Sequence, residues 1–447
     1  MEIRKNEKYI IKIEDIGQNG EGIGKINGYT LFVKDALIGD EIKVKIIKTK
    51  KNYGFGKLIE IIKPSPNRII PKCSIANKCG GCQIQHLNYK EQLRFKENKV
   101  KNTLERIGGF SNININPIIG MEKPFYYRNK TQVPVGQDKE GNIKIGYYAT
   151  RSHNIIETEQ CYIGDPINEQ IINVIKEFMI ENNITGYNEQ KHKGLIRHIL
   201  IRSGYITKDV MVCIIINGNK LPHSEKLITK LIEVPNIKSI CLNINKEKTN
   251  VILGNQLIIL WGKPYIEDYI GQVRYQISPL SFYQVNPMQT EKLYQKALEY
   301  AGLTGNEIVW DIYCGIGTIS LFLAKKAKKV YGVEIVEAAI KDAETNAEIN
   351  NINNVEFYTG KAEEILPRKY NAEDIKADVI VVDPPRKGCD EELLNTIIKM
   401  QSHKVVYVSC DPATLARDLK YLVKRGYELM EVQAVDMFPH TVHVETV

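Results

Sequence analysis

Val405-Val406-Tyr407-Val408-Ser409-Cys410-Asp411-Pro412 decides how the chain is read. Residues with strong strand preference run straight into Ser-Cys-Asp-Pro. The pattern reads as a buried strand that stops abruptly and presents one cysteine at its carboxyl end. In an open parallel sheet, ligands bind outside that edge. A thiol placed there can attack an electrophilic carbon, because a few per cent of it is already thiolate at neutral pH. Most free cysteines are simply small buried hydrophobes, so the neighbouring sequence has to decide.

Upstream of this stretch, strands and helices alternate. A helix capped by Asn286 starts at Pro287 and runs to about Ala301. Strand patterns follow at Ile308–Asp311, Lys329–Glu334, Val355–Tyr358 and Val379–Asp383, with helices starting at Thr318, Ala338 and Glu391. Such alternation predicts a doubly wound, mostly parallel α/β sheet. Asp311-Ile312-Tyr313-Cys314-Gly315-Ile316-Gly317 falls where the first strand meets its helix, and glycines there let a ligand approach the backbone. Glu334 ends the second strand, 23 residues after Asp311, placed to receive two ribose hydroxyls. A nicotinamide dinucleotide is the rival ligand. It would want a third glycine at position 320, which is Ser320 here. Together with Asp383-Pro384-Pro385-Arg386-Lys387-Gly388 at the end of the fourth strand, the set favours S-adenosylmethionine.

The first part of the chain has another texture. Residues 1–62 read as short strands separated by glycines at 17, 20, 22, 24, 28 and 39, which suggests a small barrel. Between Ile42 and Ile59 stand six lysines and no acid, with Tyr53 and Phe55 interleaved. Lysines can neutralise phosphates while aromatic faces stack bases; a lysine-protected edge strand would look the same. Lys63-Pro64-Ser65-Pro66 is a linker by composition. Residues 63–276 then form a central segment. A charged amphipathic helix is expected from Asn88 to Gly108, with Leu93, Val100, Leu104 and Ile107 on one face, and another from Pro166 to Asn182. A hairpin turn is expected at 138–142. Basic residues cluster at Arg128, Lys130 and Arg151, and again from Lys191 to Arg202, where they could grip RNA or simply face solvent.

Nine cysteines in a chain of 447 residues, with no apolar segment resembling a signal peptide, predict a cytoplasmic protein whose thiols serve a metal or catalysis. No apolar run approaches the ~18 residues of a membrane span. A composition that is 43% hydrophobic and 26% charged is ordinarily globular, and a net charge of +8 permits an anionic partner without demanding one. Cys73, Cys79 and Cys82, with Gly80-Gly81 inside the tight pair, could wrap a metal. A fourth ligand is needed, and Cys161 is the next cysteine, while Cys213 lies in a core-like strand. Zinc and a four-iron cluster both accept four thiolates.

Two resemblances add to these readings. Gly20-Glu21-Gly22-Ile23-Gly24, Phe32-Val33 and Gly39-Asp40 resemble the TRAM domain, an oligonucleotide-binding barrel. Over essentially its whole length the chain resembles the RNA uracil-5-methyltransferases, in particular the iron–sulfur branch acting on bacterial 23S ribosomal RNA. The motifs are Ser281-Phe282-Tyr283-Gln284-Val285-Asn286-Pro287, Asp311 to Gly317, Gly332-Val333-Glu334, Asp383 to Gly388, Ser409 to Pro412, and His440-Thr441-Val442-His443-Val444-Glu445.

The resemblance implies an N-terminal TRAM domain (1–62), a central α+β iron–sulfur domain (63–276) and a Rossmann-like S-adenosylmethionine-dependent methyltransferase domain (277–447). It implies that Gln284, Tyr313, Glu334 and Asp383 contact S-adenosylmethionine, that Cys410 is the nucleophile and Glu445 the base, and that Cys73, Cys79, Cys82 and Cys161 ligate a 4Fe-4S cluster. The implied partner is a single-stranded or looped uridine of 23S ribosomal RNA, met by a monomer with no membrane contact. A transfer-RNA target and an RNA cytosine-5-methyltransferase are the alternatives, the latter resting on Cys389. His440 and His443 compete with Glu445 as base.

Overall fold

The structure, a computed structural model, describes residues 3–373 and 375–447. Strands Lys8–Ile16, Gly22–Ile26, Tyr29–Val33, Tyr53–Lys63 and Glu41–Thr49 pair in that order, and the last closes back on the first. Alternation turns Ile11, Ile13, Leu31, Val33, Ile42, Val44 and Ile46 inward to fill this barrel. Gly56 must be small: a Cβ there would lie 2.2 Å from Val44 Cγ2. Phe32, Tyr53 and Phe55 point outward and pack edge-on or tilted, with ring centroids 5.7–5.8 Å apart. The linker is fixed to the barrel by Asp40, which accepts the Ser65 and Leu37 amides and pairs with Arg68.

The central segment is an α+β layer. Its six-stranded sheet runs Gln256–Gly262, Ile237–Ile244, Val210–Ile216, Ile196–Ser203, Lys130–Gln137, Ile143–Ile145. Helices Ile167–Glu181 and Ser224–Ile232 add Ile171, Ile175, Phe178, Leu227 and Leu231 to its core. The 138–142 turn joins the last two strands. Cys213 is fully buried in its strand, opposite Cys241.

In the C-terminal part, five parallel strands lie in the order Val355–Thr359, Lys329–Glu334, Ile308–Ile312, Val379–Val382, Lys404–Tyr407. The order reverses between the Ile308 and Val379 strands, which opens a ligand crevice at their carboxyl ends. The sheet then continues. Ser409 and Thr446 exchange backbone hydrogen bonds of 2.8 and 2.9 Å, which seats strand Glu445–Thr446 beside the end of Lys404–Tyr407. On its other side that strand pairs with Glu431–Val435. Strand Asn114–Ile119, far away in sequence, pairs parallel with Glu431–Val435.

The helix expected from Asn88 runs Tyr89–Thr103, capped by the Asn88 side chain on the Glu91 amide at 3.0 Å. Its last turn, Leu104–Gly108, is π-helical. The wider turn changes the phase at the end, so Ile107 is 41% exposed while Val100 and Leu104 stay buried; in the α-helical part Gln92, Phe95 and Lys96 are buried with them. Helix Tyr89–Thr103 and strand Asn114–Ile119 thus pack with the last strands of the chain, although both lie in the 63–276 segment. Among the described residues no helix is long and apolar enough to cross a membrane.

Candidate active site

The carboxyl edge of the parallel sheet opens into a cavity of about 990 Å³. Each strand delivers its residue by ending there. After Lys404–Tyr407, Cys410 lies on the wall, and Asp411 caps the following helix through the Ala413 and Thr414 amides. This Asp-Pro pair, a helix start of ordinary kind, is what turns the chain away and leaves the thiol at the edge. After Val379–Val382 comes Asp383, and then a tight turn held by the Gly388 amide on the Pro385 carbonyl at 2.8 Å. That loop is tied to helix Pro412–Val423, since Arg417 donates to the Lys387 carbonyl and Asp418 accepts the Cys389 amide. The inserted strand Glu445–Thr446 brings Glu445 to the same cavity.

Burial sets the protonation of this group. It pushes Asp383 up to about 7. It pushes Glu445 up to about 8, helped by the nearby Asp383 charge and opposed by Arg386. It pushes the Cys410 thiol up to about 11, with Glu445 and Asp383 adding to the effect and Arg386 again opposing. Arg386 is therefore the cation that favours the ionised forms of both Cys410 and Glu445. Sequence reading passed over it. The signal was available: a basic residue soon after a strand-ending Asp-Pro lies on the ligand edge.

Gln284, Tyr313 and Glu334 line the same cavity. Asn129 donates to the Gln284 carbonyl at 3.1 Å, which ties the Ser281–Pro287 motif to the central sheet. Tyr313 has a left-handed backbone, φ 67°, and its amide donates to the Val333 carbonyl at 2.9 Å. Such a conformation costs of order 1 kcal/mol or more for a non-glycine residue. The Glu334 carboxylate accepts the Gly315 amide at 3.3 Å and the Val336 amide at 3.0 Å.

The competing bases separate. His440 is 2% exposed, stacked on Phe125 at 4.3 Å, and held by Gln92, which accepts its backbone N–H at 2.9 Å. It is absent from the cavity wall. His443 does line the cavity; burial, with Arg386 and two lysines beside it, pushes its ring down to about 4. Cys389 is 4% exposed, lies off the cavity, and is pushed up to about 12 by burial.

Cys73, Cys79, Cys82 and Cys161 are neighbours. Burial above all, with the charge of Cys161 adding to it, raises the other three, Cys82 to about 12. Among the described residues, however, no group of three or more His, Cys, Asp or Glu side chains is placed to hold a metal ion. The central layer is thus observed as α+β structure alone, with four partly buried cysteines and no metal-holding group among the described residues. The cysteine segment adjoins the cavity, because Gly80 and Gly81 form part of its wall.

A family model described as tRNA (Uracil-5-)-methyltransferase matches residues 239–447, and one for the TRAM domain matches residues 4–59. The solved structure of Pyrococcus abyssi tRNA (uracil-54, C5)-methyltransferase in complex with S-adenosyl-L-homocysteine superposes with a TM-score of 0.79. It is 32% identical, and 98% of each chain is covered. The chain belongs to the RNA uracil-5-methyltransferase family. It is an S-adenosylmethionine-dependent RNA methyltransferase with an N-terminal TRAM domain. Relatives named "Uncharacterized RNA methyltransferase" occur in Clostridium tetani, 54% identical, and Halalkalibacterium halodurans, 51% identical. They match the whole of this methyltransferase and 96% and 97% of their own lengths.

Proposed function

We propose that this methyltransferase modifies carbon 5 of a uridine in 23S ribosomal RNA, with Cys410 as nucleophile and Glu445 as base. The observation that supports the reading is the convergence of Cys410, Glu445, Asp383 and Arg386 on one cavity with Gln284, Tyr313 and Glu334. Uracil carbon 5 is too weakly nucleophilic to take a methyl group unaided. Once Cys410 Sγ has lost its proton to solvent, the thiolate bonds to carbon 6, the carbon 5–carbon 6 double bond opens, and the ring becomes an enolate whose carbon 5 is nucleophilic. S-adenosylmethionine, when bound, supplies the electrophilic methyl on a sulfonium. Gly315 leaves open space where a Cβ would stand, and Glu334 ends its strand as an acid on the cavity wall, so Gln284, Tyr313, Glu334 and Asp383 fit that ligand. The ionised Glu445 then removes the carbon 5 proton, the carbon–sulfur bond breaks, and the Cys410 thiolate is regenerated; general base catalysis of this kind is worth ~10²–10⁴-fold. Arg386 favours the charged forms of both groups against the burial that opposes them. The position of Cys389 away from the cavity speaks against cytosine-type geometry.

Transfer RNA is the second reading for the substrate, favoured by the likeness to the P. abyssi tRNA (uracil-54, C5)-methyltransferase over almost the whole chain. Transcripts of 23S ribosomal RNA and of tRNA carrying 5-fluorouridine, each incubated with and without S-adenosylmethionine, distinguish the two. Fluorine cannot leave as a proton, so the methylated adduct stays on the enzyme. The expected result is an adenosylmethionine-dependent adduct of the 23S transcript on the peptide containing Cys410. An adduct from tRNA alone moves the substrate, and one at Cys389 restores the cytosine reading. Methyl transfer with no adduct refutes the covalent mechanism.

We further assign Cys73, Cys79, Cys82 and Cys161 to a 4Fe-4S cluster. What supports the reading is residue chemistry alone: four thiols are the donors such a cluster takes, although the described side chains are not grouped as a metal site. Zinc would take the same four thiolates. The reaction has no redox step, so the cluster would fix the 73–82 segment at the cavity wall. Iron and sulfide content of the purified protein tests this. Absence of both, with a Cys82→Ala variant as stable as the parent, removes the assignment.

A further inference from the structure

A second cavity, of about 810 Å³, opens in the central domain between the 130–145 hairpin and the 187–197 segment. Four cations line it, Lys139, Lys144, Lys191 and Arg197, against two carboxylates, Asp138 and Glu189. Both carboxylates are engaged. Asp138 accepts from the Asn142 amide and side chain at 2.8 and 3.0 Å, closing its own turn. Glu189 accepts from the Tyr148 hydroxyl at 3.0 Å and lies 2.6 Å from His153 Nδ1. The three lysines make no ion pair among the described residues.

Arg197 is the unusual member. It is 3% exposed, yet it meets no carboxylate: its Nη atoms donate to the Asn245, Glu247 and Thr249 carbonyls, and its guanidinium lies 4.5 Å from the Tyr187 ring. Its Nε has no partner. A buried charge is costly unless paired, and here only carbonyl dipoles and a ring face compensate it, so Arg197 adds positive potential to the cleft wall. Beside it, Tyr148 and His153 are stacked, 4.9 Å apart and 23° from parallel, with His153 exposed on its outer side. Phosphate-seeking cations next to a fixed aromatic platform are what single-stranded RNA requires.

The cleft is joined to the active site. Cys79 bridges to Ala149, and the Gly80 amide donates to the Tyr148 carbonyl at 3.2 Å. Gly80 and Gly81 wall the catalytic cavity, while Tyr148 walls the cleft. A strand whose target base is turned into the first can therefore reach the second across two side-chain-free residues. We propose that this cleft holds a nucleotide flanking the target uridine, its base on His153 and Tyr148, its phosphates against Lys139, Lys144, Lys191 and Arg197. Glu189 is a positioning residue that keeps the platform in place. The inference rests on the RNA-methyltransferase reading above.

The test compares Lys139→Ala/Lys144→Ala/Lys191→Ala and His153→Ala with the parent on unmodified 23S and tRNA transcripts. Filter binding is measured across salt, and KM and kcat are separated. A control removes three charges beyond the far end of helix Thr318–Ala324, as Lys325→Ala/Lys326→Ala/Lys328→Ala. The lysine triple variant is expected to raise Kd and KM at least tenfold with kcat within twofold. It should also flatten the log Kd–log salt slope by about 2, three contacts at about 0.7 each for a single strand. His153→Ala is expected to weaken binding by about tenfold with the slope unchanged, as loss of one stacked base does. Unchanged binding in the triple variant, or an equal loss in the control, overturns the proposal. If the parent methylates neither transcript, the functional reading fails on its own, and filter binding still decides the cleft.

Discussion

Lys96 and Asp436 form a fully buried ion pair between helix Tyr89–Thr103 and the segment that leads to Glu445. Lys96 also donates to the Phe438 carbonyl at 2.9 Å, and the Tyr89 hydroxyl donates to Asp436 at 2.8 Å. Breaking a buried pair by removing one partner costs about 3–5 kcal/mol, because the other charge is left uncompensated. Lys96→Met keeps the stem volume and leaves Asp436 with the Tyr89 hydroxyl alone. At an m-value of about 2 kcal/mol per molar urea, the midpoint should fall by about 1.5–2.5 M. Trp310, fully buried in the parallel sheet, reports that transition by its fluorescence, whereas Trp261 is 39% exposed on an outer strand of the central sheet. Lys96→Met/Asp436→Leu should recover most of the loss, since a well-packed apolar pair is often as stable as a buried ionic one. Lys99→Met is the comparison: Lys99 is only partly buried and donates to carbonyls, so its loss should cost no more than about 1 kcal/mol. A fall of less than about 0.5 M for Lys96→Met, roughly 1 kcal/mol at that m-value, refutes the reasoning. A double variant as unstable as the single one does the same.

Three further outcomes are expected. Burial raises Glu445 from its ordinary 4.5 to about 8, so its contribution to stability is full below pH 4.5 and is lost as pH rises towards 8. At about 1.4 kcal/mol per pH unit, that loss is bounded at about 5 kcal/mol. Glu445→Gln should flatten urea midpoints between pH 5 and 9, and a parent-like slope in the variant would contradict the assignment. Arg386→Gln removes the cation opposing burial at Cys410, so iodoacetamide labelling of the Cys410 peptide should be slower than in the parent at each pH from about 7 to 9; an unchanged or faster rate counts against it. Gly56→Ala places a Cβ 2.2 Å from Val44 Cγ2 inside the barrel. It should cost about 1–3 kcal/mol by overpacking, read as a lower melting temperature, and a neutral result would mean that the strand shifts freely.

Much of the molecule was legible because its signals are local. Alternating strands and helices after residue 300 set the parallel sheet, and the caps at Asn88 and Asn286 set two helix starts. A hydrophobic run ending in Ser-Cys-Asp-Pro put Cys410 on the ligand edge before any contact was known. What the sequence concealed depends on partners distant along the chain. Strand Asn114–Ile119 carries no mark of the Glu431–Val435 strand it joins. Nothing local to Lys96 or Gln92 shows that they are buried against Asp436 and His440, since a long polar side chain looks solvent-bound until a distant segment covers it. His440 reads as a base by its distance from Glu445 in sequence, and the fold turns it away into Phe125. Arg386 can be placed on the ligand edge from its motif, but its effect on Glu445 arises only once the inserted strand brings both to one cavity. The chain itself thus determined which residue types stand at each strand end, because backbone periodicity and caps act over a few residues. Which of them share one cavity, with what charge, was decided by tertiary packing, because burial and Coulomb forces depend on distance in space.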